Sequence, residues 1–327
     1  MCIRDRVLNA PVITTPEGKG AFPEDNPLSL GTIYNGHGPG HHVVPQADVI
    51  LAVGSRMHMV PPVDWSPKPH QTLIQIDADP EEVGRNIPVT TGMAADGRLA
   101  LQDLLAELGG KTHASHWVQG DLDSIRNATK EEIRAMAPLQ VEIINTIRQE
   151  LDDDAIMVAG TTEVGYWSHL AFPALTPRSY LTSSYFATLG YAFPTALGAK
   201  IGNPNRQVVA TSGDGGFGYA SSELATAVQE GLNVVTILFN NESFGASYAD
   251  QENRFGGRVI GTRIHNPDYA KLAESYGAVG INLSGHEELG PVLREALKAN
   301  SPVLIEVPIP NLVPPFQISP PGMVRRT

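Results

Sequence analysis

Asp214 sits inside a run of glycines, Gly213-Asp214-Gly215-Gly216, with Phe217 and Gly218 behind it. Glycines that follow a strand let backbone N–H groups close on an anion at the start of a helix. A carboxylate at the same edge can hold a cation beside that anion. Asn241, about one helix and one strand further on, closes the next apolar run. Two parallel strands can thus set a carboxylate and an amide oxygen on one ion. Oxygen donors combined with phosphate oxygens suit Mg²⁺. The same glycines also spell Gly213-x-Gly215-x-x-Gly218, a dinucleotide fingerprint that needs an acidic residue about 20 positions on to grip a ribose. Here the second run ends in Asn240-Asn241, with Glu242 beyond it. A nicotinamide oxidoreductase stays as the alternative.

The elements that must position these groups can be read around them. Gln207–Thr211 is a short β-branched run that suits a buried parallel strand. Ser221–Glu230 has helical spacing, with Leu224, Ala225 and Val228 on one face, and Val234–Phe239 is the second strand. Upstream, Pro138 opens a helix with Val141, Ile144, Ile147 and Leu151 on one face, and Asp152-Asp153-Asp154 ends it as a solvated turn. Strand 155–159 leads into Gly160-Thr161-Thr162-Glu163, which is either a diphosphate-facing turn or a plain helix cap. Tyr180–Ser183 is a strand, and Phe186–Ala192 opens the helix that runs to Gly202. Leu189 reads on its own as a core residue. Ala246–Arg263 reads as a polar, glycine-containing loop. Then come helix 266–276, a turn into a strand over 277–281, helix 287–299 and strand 302–307.

Residues 7–115 show the same alternation. Pro11–Thr14, Asp48–Val53 and Thr72–Asp77 read as strands. Asp79-Pro80-Glu81-Glu82 carries the signals of a helix start. A helix over 98–108 has Leu101, Leu104, Leu105 and Leu108 on one face. Strands alternating with helices predict an α/β fold of two doubly wound parallel-sheet domains. His37, His41 and His42 lie close together in NGHGPGHH, but no carboxylate accompanies them at helical spacing, so a polar glycine loop is expected there. The expected organisation is a foreign or disordered leader over 1–6, a first domain over 7–115, a linker over 116–137 in which 122–136 is a solvated helix, a second domain over 138–312 and a proline-rich tail over 313–327.

The chain of 327 residues carries a net charge of −12, which disfavours nucleic acid and anionic membranes as partners. No apolar run reaches the ~20 residues that span a bilayer. The only cysteine is Cys2, so disulfides within one chain are excluded. A cytoplasmic protein is expected.

GDG followed by a helix, a strand and NN resembles the signature of the thiamine diphosphate-dependent enzymes, the family of acetolactate synthases and 2-oxo acid decarboxylases and carboligases. The pattern TTPEGKGAFPEDNPLSLG, then ADVILAVGSRM, then IQIDADPEEVGRN resembles the central domain of that family. The resemblance implies thiamine diphosphate and Mg²⁺ as cofactors. It places Asp214, Asn241 and the Ser243 carbonyl on the metal. It assigns Thr161, Thr162, Glu163, Ala187, Leu189, Gly213, Gly215, Gly216, Phe244 and Gly245 to the cofactor, with Leu189 bending it and the Ala187 carbonyl accepting its amino group. Flavin-containing members hold FAD at positions matching Gly36, His37, Gly38, Arg56 and Asp77. Met57-His58-Met59 departs from their FDDR-like continuation, so FAD stays open. Ala246 and Asp250 stand where acetolactate synthases carry Met and Trp.

The resemblance implies decarboxylation of a small 2-oxo acid, ligation of the acyl unit to a second carbonyl such as an aldehyde, or both. A homodimer or homotetramer is expected of the intact protein. The family's third domain, which bears the activating glutamate, would precede residue 7. No catalytic residue is therefore assignable, and a C-terminal fragment, inactive alone, is expected; a non-catalytic subunit is a further alternative.

Overall fold

The computed structural model describes residues 7–57, 67–109, 116–183 and 186–318. The chain divides into two compact units, one reaching Ile133 and one spanning Arg134–Ile318.

The first unit holds two parallel sheets. β1 (Val12–Thr14) pairs with β2 (Ser29–Thr32). β3 (Val49–Val53), β4 (Thr72–Asp77) and β5 (Thr91–Ala94) form the second sheet, in the order β3-β4-β5. Leu73 of β4 packs with Ala52 and Ile87, and Ile76 is buried as well, whereas every residue of β5 is exposed. α1 (Gly40–Val43) carries His41 and His42, so these histidines lie on a helical turn rather than in an open loop. α2 (Gly97–Glu107) is capped by Asp96, whose carboxylate accepts the Leu99 N–H at 2.9 Å.

One sequence expectation is overturned here. Asp79-Pro80-Glu81-Glu82 starts no helix. The Gln75 side chain donates to the Glu82 carbonyl at 3.1 Å and accepts the Gly84 N–H at 2.8 Å. Gly84, at φ 73°, then turns the chain away. These bonds satisfy peptide groups that a helix would otherwise pair, and the chain returns as β5, a strand with no sequence signal. The helix expected over 122–136 is present as α3 (Gln119–Met136), but it is not wholly solvated: Leu122, Thr129 and Ile133 are buried. Leu122 packs with Leu30 and Val43, and Arg126 donates to the carbonyls of Ser29 (3.1 Å) and Pro27 (2.8 Å). A helix with so few buried positions gives a weak periodic pattern. Residues 110–115, at the end of the expected first domain, lie outside the described residues, as do the leader, residues 58–66 and the tail from 319.

The second unit opens with α4 (Pro138–Glu150), whose buried face is Gln140, Ile143, Ile144 and Ile147. Its sheet is all parallel: β6 (Ile156–Ala159), β7 (Tyr180–Thr182), β8 (Val208–Gly213), β9 (Val235–Asn240), β10 (Val279–Asn282) and β11 (Val303–Pro308), ordered β10-β11-β9-β8-β6-β7. β6, β8, β9 and β11 are buried along nearly their whole length, as a parallel sheet covered on both faces requires. The helices are α5 (Glu163–Ala171), α6 (Ala192–Gly202), α7 (Asp214–Gly218), α8 (Leu224–Gln229), α9 (Gly245–Arg254), α10 (Tyr269–Tyr276) and α11 (Leu289–Ala296). One apolar cluster joins Phe193 of α6, Phe217 of α7, Leu224 of α8, Tyr269 of α10 and the strands.

Two local readings change. The 3-10 turn Ser221–Glu223 precedes α8 and winds tighter than an α-helix, so the buried face is Leu224 and Ala227 while Ala225 is exposed. Residues 246–254, read as loop, belong to α9. None of its residues is buried, and its Asp250–Arg254 ion pair (2.9 Å) lies on an exposed face, so it has no hydrophobic period to read.

Candidate functional site

The chain runs from β6 out to β7 on one side, then crosses back to β8 on the other. This reversal opens a crevice beyond the carboxyl ends of β6 and β8, the usual ligand position in an open parallel sheet. Gly160 follows β6, and Gly213-Asp214 ends β8. A Cβ on Gly160 would collide with the Thr211 carbonyl, so the two strand ends approach as closely as backbone allows. All thirteen expected residues, from Thr161 to Gly245, line a single cleft of about 250 Å³, joined by Tyr166, Phe239, Ala246 and Ser247.

Asp214 is the first residue of α7, a single turn, so the glycine run is helical from its second residue. Its side chain is 2 % exposed. One carboxylate oxygen accepts the Gly215 N–H at 2.9 Å, and the other accepts the Asn266 side-chain amide at 2.6 Å. The Glu242 and Ser243 N–H groups donate to the side-chain oxygens of Asn240 (3.0 Å) and Asn241 (3.2 Å) and lie near enough to favour the charged form of this carboxylate. Burial raises its pKa, against these donors. The glycine turn and the Asn241-Glu242-Ser243 turn therefore meet at one carboxylate.

Asn241 donates its amide to Glu163 at 2.8 Å, which leaves its oxygen to accept the Ser243 N–H at 3.2 Å. Glu242 takes φ 52°, a left-handed conformation that tightens this turn. The bridge to Arg263 uses neighbouring groups: Phe244 N–H to the Thr262 carbonyl (2.8 Å) and Ile264 N–H to the Glu242 carbonyl (3.0 Å). Among the described residues no hydrogen bond is donated to the Ser243 carbonyl. Glu163 is buried, and desolvation lifts its pKa to about 7, opposed by the Leu312 N–H and reinforced by the charge of Asp214. A Cβ on Gly245 would strike the Glu163 carboxylate, and one on Gly215 would lie 2.6 Å from the Phe244 ring. Both glycines are thus required for the turns to pack.

Ala187 takes φ 46°. An L-residue in this conformation costs about 1–2 kcal/mol, and such strain tends to accumulate where a backbone group must face a site. Leu189 is half-buried at the cleft edge; a Cβ on Gly216 would sit 3.9 Å from its side chain. Thr162 is the N-cap of α5 without a side-chain cap bond, and Thr161 lies 3.4 Å from the Thr188 carbonyl.

Several residues of the site escaped the sequence reading. Asn266 bridges Asp214 to the Asn240 side chain (2.8 Å), and Tyr269 donates to Asn266 (3.0 Å) and to the Asp214 carbonyl (3.3 Å). Asn-Pro-Asp signalled only a helix start. Asn311 accepts from the Ser243 hydroxyl at 2.7 Å, and the Trp167 indole donates to the Val313 carbonyl at 2.9 Å. Residues 311–313 thus brace the second unit.

For the dinucleotide alternative, the end of β9 carries no acid, and Asn240 is engaged by Glu306 at 2.6 Å. Of the positions matched to flavin-binding members, Gly36, His37 and Gly38 precede α1. Arg56 follows β3, 4.0 Å from Glu82, and Asp77 ends β4.

The donor set fits the two expected groups. The cleft contains two buried carboxylates, an amide oxygen and backbone carbonyl and N–H groups, and among the described residues no Lys, Arg or His lines it. A diphosphate could enter such a place only together with a cation, and the ligands on offer are all hard oxygens, as Mg²⁺ prefers. The fold and site define a parallel-sheet domain whose crevice offers donors suited to a phosphate ester and a cation.

Comparison with known proteins sets the family. Residues 160–307 match the family "Thiamine pyrophosphate enzyme, C-terminal TPP binding domain" and residues 6–104 match "Thiamine pyrophosphate enzyme, central domain". The chain belongs to the thiamine diphosphate-dependent enzymes. It is 33% identical to the "Probable acetolactate synthase large subunit" of Methanocaldococcus jannaschii, over 91% of this chain and 53% of that protein. It is also 33% identical to the "Probable 2-ketoarginine decarboxylase AruI" of Pseudomonas aeruginosa (92% and 54%), and 32% identical to the acetolactate synthase large subunit of Corynebacterium glutamicum (90% and 50%). The chain spans about half the length of these relatives. Among the described residues no helix is long and apolar enough to cross a membrane.

Proposed function

We propose that this chain forms the diphosphate- and cation-binding side of an enzyme that decarboxylates a 2-oxo acid, passes the acyl unit to a second carbonyl compound, or both. The observation that carries the reading is the cleft itself: backbone donors from two glycine turns, two buried carboxylates and, among the described residues, no basic side chain. The names of the relatives, synthases and decarboxylases, support this substrate class.

Asp214, the Asn241 side-chain oxygen and the Ser243 carbonyl would hold Mg²⁺. The Gly213–Gly216 and Thr161–Thr162 backbones would take the diphosphate. Bound thiamine diphosphate supplies the electron sink that lets a 2-oxo acid lose CO₂. Glu163, by accepting the Asn241 amide, keeps the amide oxygen turned toward the metal position. Leu189 and the Ala187 carbonyl would set the cofactor's bend, and Ala246, at the cleft edge, leaves more room for an acyl substituent than the Met of acetolactate synthases. The proposed assembly is a homodimer or homotetramer. Phe186, next to the strained Ala187, is 92 % exposed, and such an apolar group beside a site suits a subunit contact.

Calorimetric titration of the chain with thiamine diphosphate, with and without Mg²⁺, tests the reading. Binding that requires Mg²⁺ and disappears in Asp214→Ala is the expected result. Binding that is indifferent to both would overturn it.

A further inference from the structure

Outside the cofactor cleft, one set of metal-ligating side chains converges in the first unit. His41 and His42 are adjacent on α1, and Glu132 comes from α3, 90 residues further along from His42. His42 Nε2 lies 3.0 Å from Glu132 Oε1, and His41 Nε2 lies 3.1 Å from Oε2. The two imidazole rings stand 3.9 Å apart, centre to centre, tilted by 40°. All three ligand atoms fall within 4.8 Å of one another.

We propose that His41, His42 and Glu132 form a binding site for a first-row transition cation of the Zn²⁺ class. Two imidazole nitrogens and one carboxylate oxygen are a borderline donor set, which excludes Mg²⁺ and Ca²⁺ and suits Zn²⁺ or Co²⁺. With metal–nitrogen bonds of ~2.0–2.1 Å, neighbouring ligands of a tetrahedral ion lie about 3.3 Å apart. The observed nitrogen-to-oxygen separations need to open only slightly to admit the ion.

The hydrogen bonding supports a ligand role for His41. Its Nε2 is buried and, despite the 3.1 Å separation from Glu132, is not aligned for a hydrogen bond; no other partner for that atom lies among the described residues. A simple ion pair would leave this nitrogen unsatisfied; a cation would satisfy it.

The scaffold holds the ligands before any ion arrives. Val43, next to His42, packs with Leu122 of α3 and Leu30 of β2, and Arg126 pins α3 to the carbonyls of Pro27 and Ser29. The turn with the histidines and the helix with the carboxylate are thus clamped one helical stretch away. The side chains of His41, His42 and Glu132 remain 16, 26 and 31 % exposed, so an ion can reach them and a water can complete its coordination. The ion would tie α1 to α3 and raise the stability of the unit according to its affinity.

The test uses the full chain carrying Asp214→Ala, which removes the oxygen site of the other unit. Zn²⁺ is titrated by calorimetry, and Co²⁺ by its visible absorption. One equivalent should bind, excess Mg²⁺ should not displace it, and Zn²⁺ should raise the thermal midpoint. Glu132→Gln and His41→Gln should each weaken binding by on the order of 100-fold or more, because losing a residue that merely orients a ligand already costs ~10–100-fold. Either variant suffices if the other does not fold. Zn²⁺ affinity equal to that of the parent in a folded Glu132→Gln or His41→Gln chain would overturn the site, as would displacement of Zn²⁺ by Mg²⁺.

Discussion

In the unit spanning Arg134–Ile318, β6, β8, β9 and β11 are buried along almost their whole length. In the first unit β5 is exposed at every residue, and Val49 of β3 is 59 % exposed. Both units are parallel and helix-flanked, yet six strands in one sheet produce a reversal in strand order, and sheets of two and three do not. The reversal lets two strand ends place backbone donors and carboxylates in one desolvated crevice. The first unit gathers its polar side chains differently: a turn and a distant helix meet at a half-buried edge. A wide sheet favours a deep oxygen site; a narrow one leaves ligand sets to its helices.

The sharpest way to separate the two is Asp214→Ala. It should abolish Mg²⁺-dependent binding of thiamine diphosphate, read by calorimetry, whereas Glu132→Gln should leave that binding as it is. Equal losses in both would break the comparison. Next in size is core truncation. Leu304→Ala, in a strand residue that is 1 % exposed, should cost about 2–5 kcal/mol in urea unfolding. Met93→Ala, on β5 and 44 % exposed, should cost within about 0.5 kcal/mol. Similar costs would mean that the first unit is more tightly packed than its exposed strand indicates.

Smaller again is Asn266→Ala. It removes the amide that meets Asp214 at 2.6 Å, and should weaken Mg²⁺-dependent binding by ~10–100-fold while the fold persists. Circular dichroism alongside the titration distinguishes this from unfolding.

The smallest effect is pH-dependent. Asp268 caps α10 by accepting the Lys271 N–H (3.1 Å), and its carboxylate also pairs with the Lys271 ammonium. The hydrogen bond from the Lys271 side chain, then that from its backbone N–H, lower the Asp268 pKa from 3.8 to about 2. A carboxylate with a depressed folded pKa stabilises the fold above its unfolded pKa, and that contribution fades as pH falls through the folded value. Asp268→Ala should therefore lower the thermal midpoint at pH 6, with the gap closing between about pH 4 and pH 2. A gap that persists at pH 2 would show that the cap acts through something other than its charge.

Much of the second unit was legible in the amino-acid order. Its strands are continuous apolar runs because both faces of the sheet are covered, and its glycines stand where backbones must touch. Asp214, its flanking glycines and Asn241 could be singled out because strand–turn–helix units put successive strand ends on one sheet edge; the remaining cleft residues came only from the family resemblance. Elements with little burial were harder. α9 has no buried face, and β5 has no apolar alternation. The helix expected at Asp79–Glu82 fails because Gln75, a residue of the preceding strand, captures the peptide groups it needed.

By itself, the sequence determined the parallel α/β architecture, the two glycine- and asparagine-bearing turns and the family to which the chain belongs. Each of these depends on local spacing, and local spacing survives without a fold. The tertiary structure alone decided that Asn266 holds Asp214, that Glu163 orients Asn241 and that Glu132 meets two histidines. In each case the partners lie far apart in the chain, and only the packing of apolar faces brings them within hydrogen-bond distance.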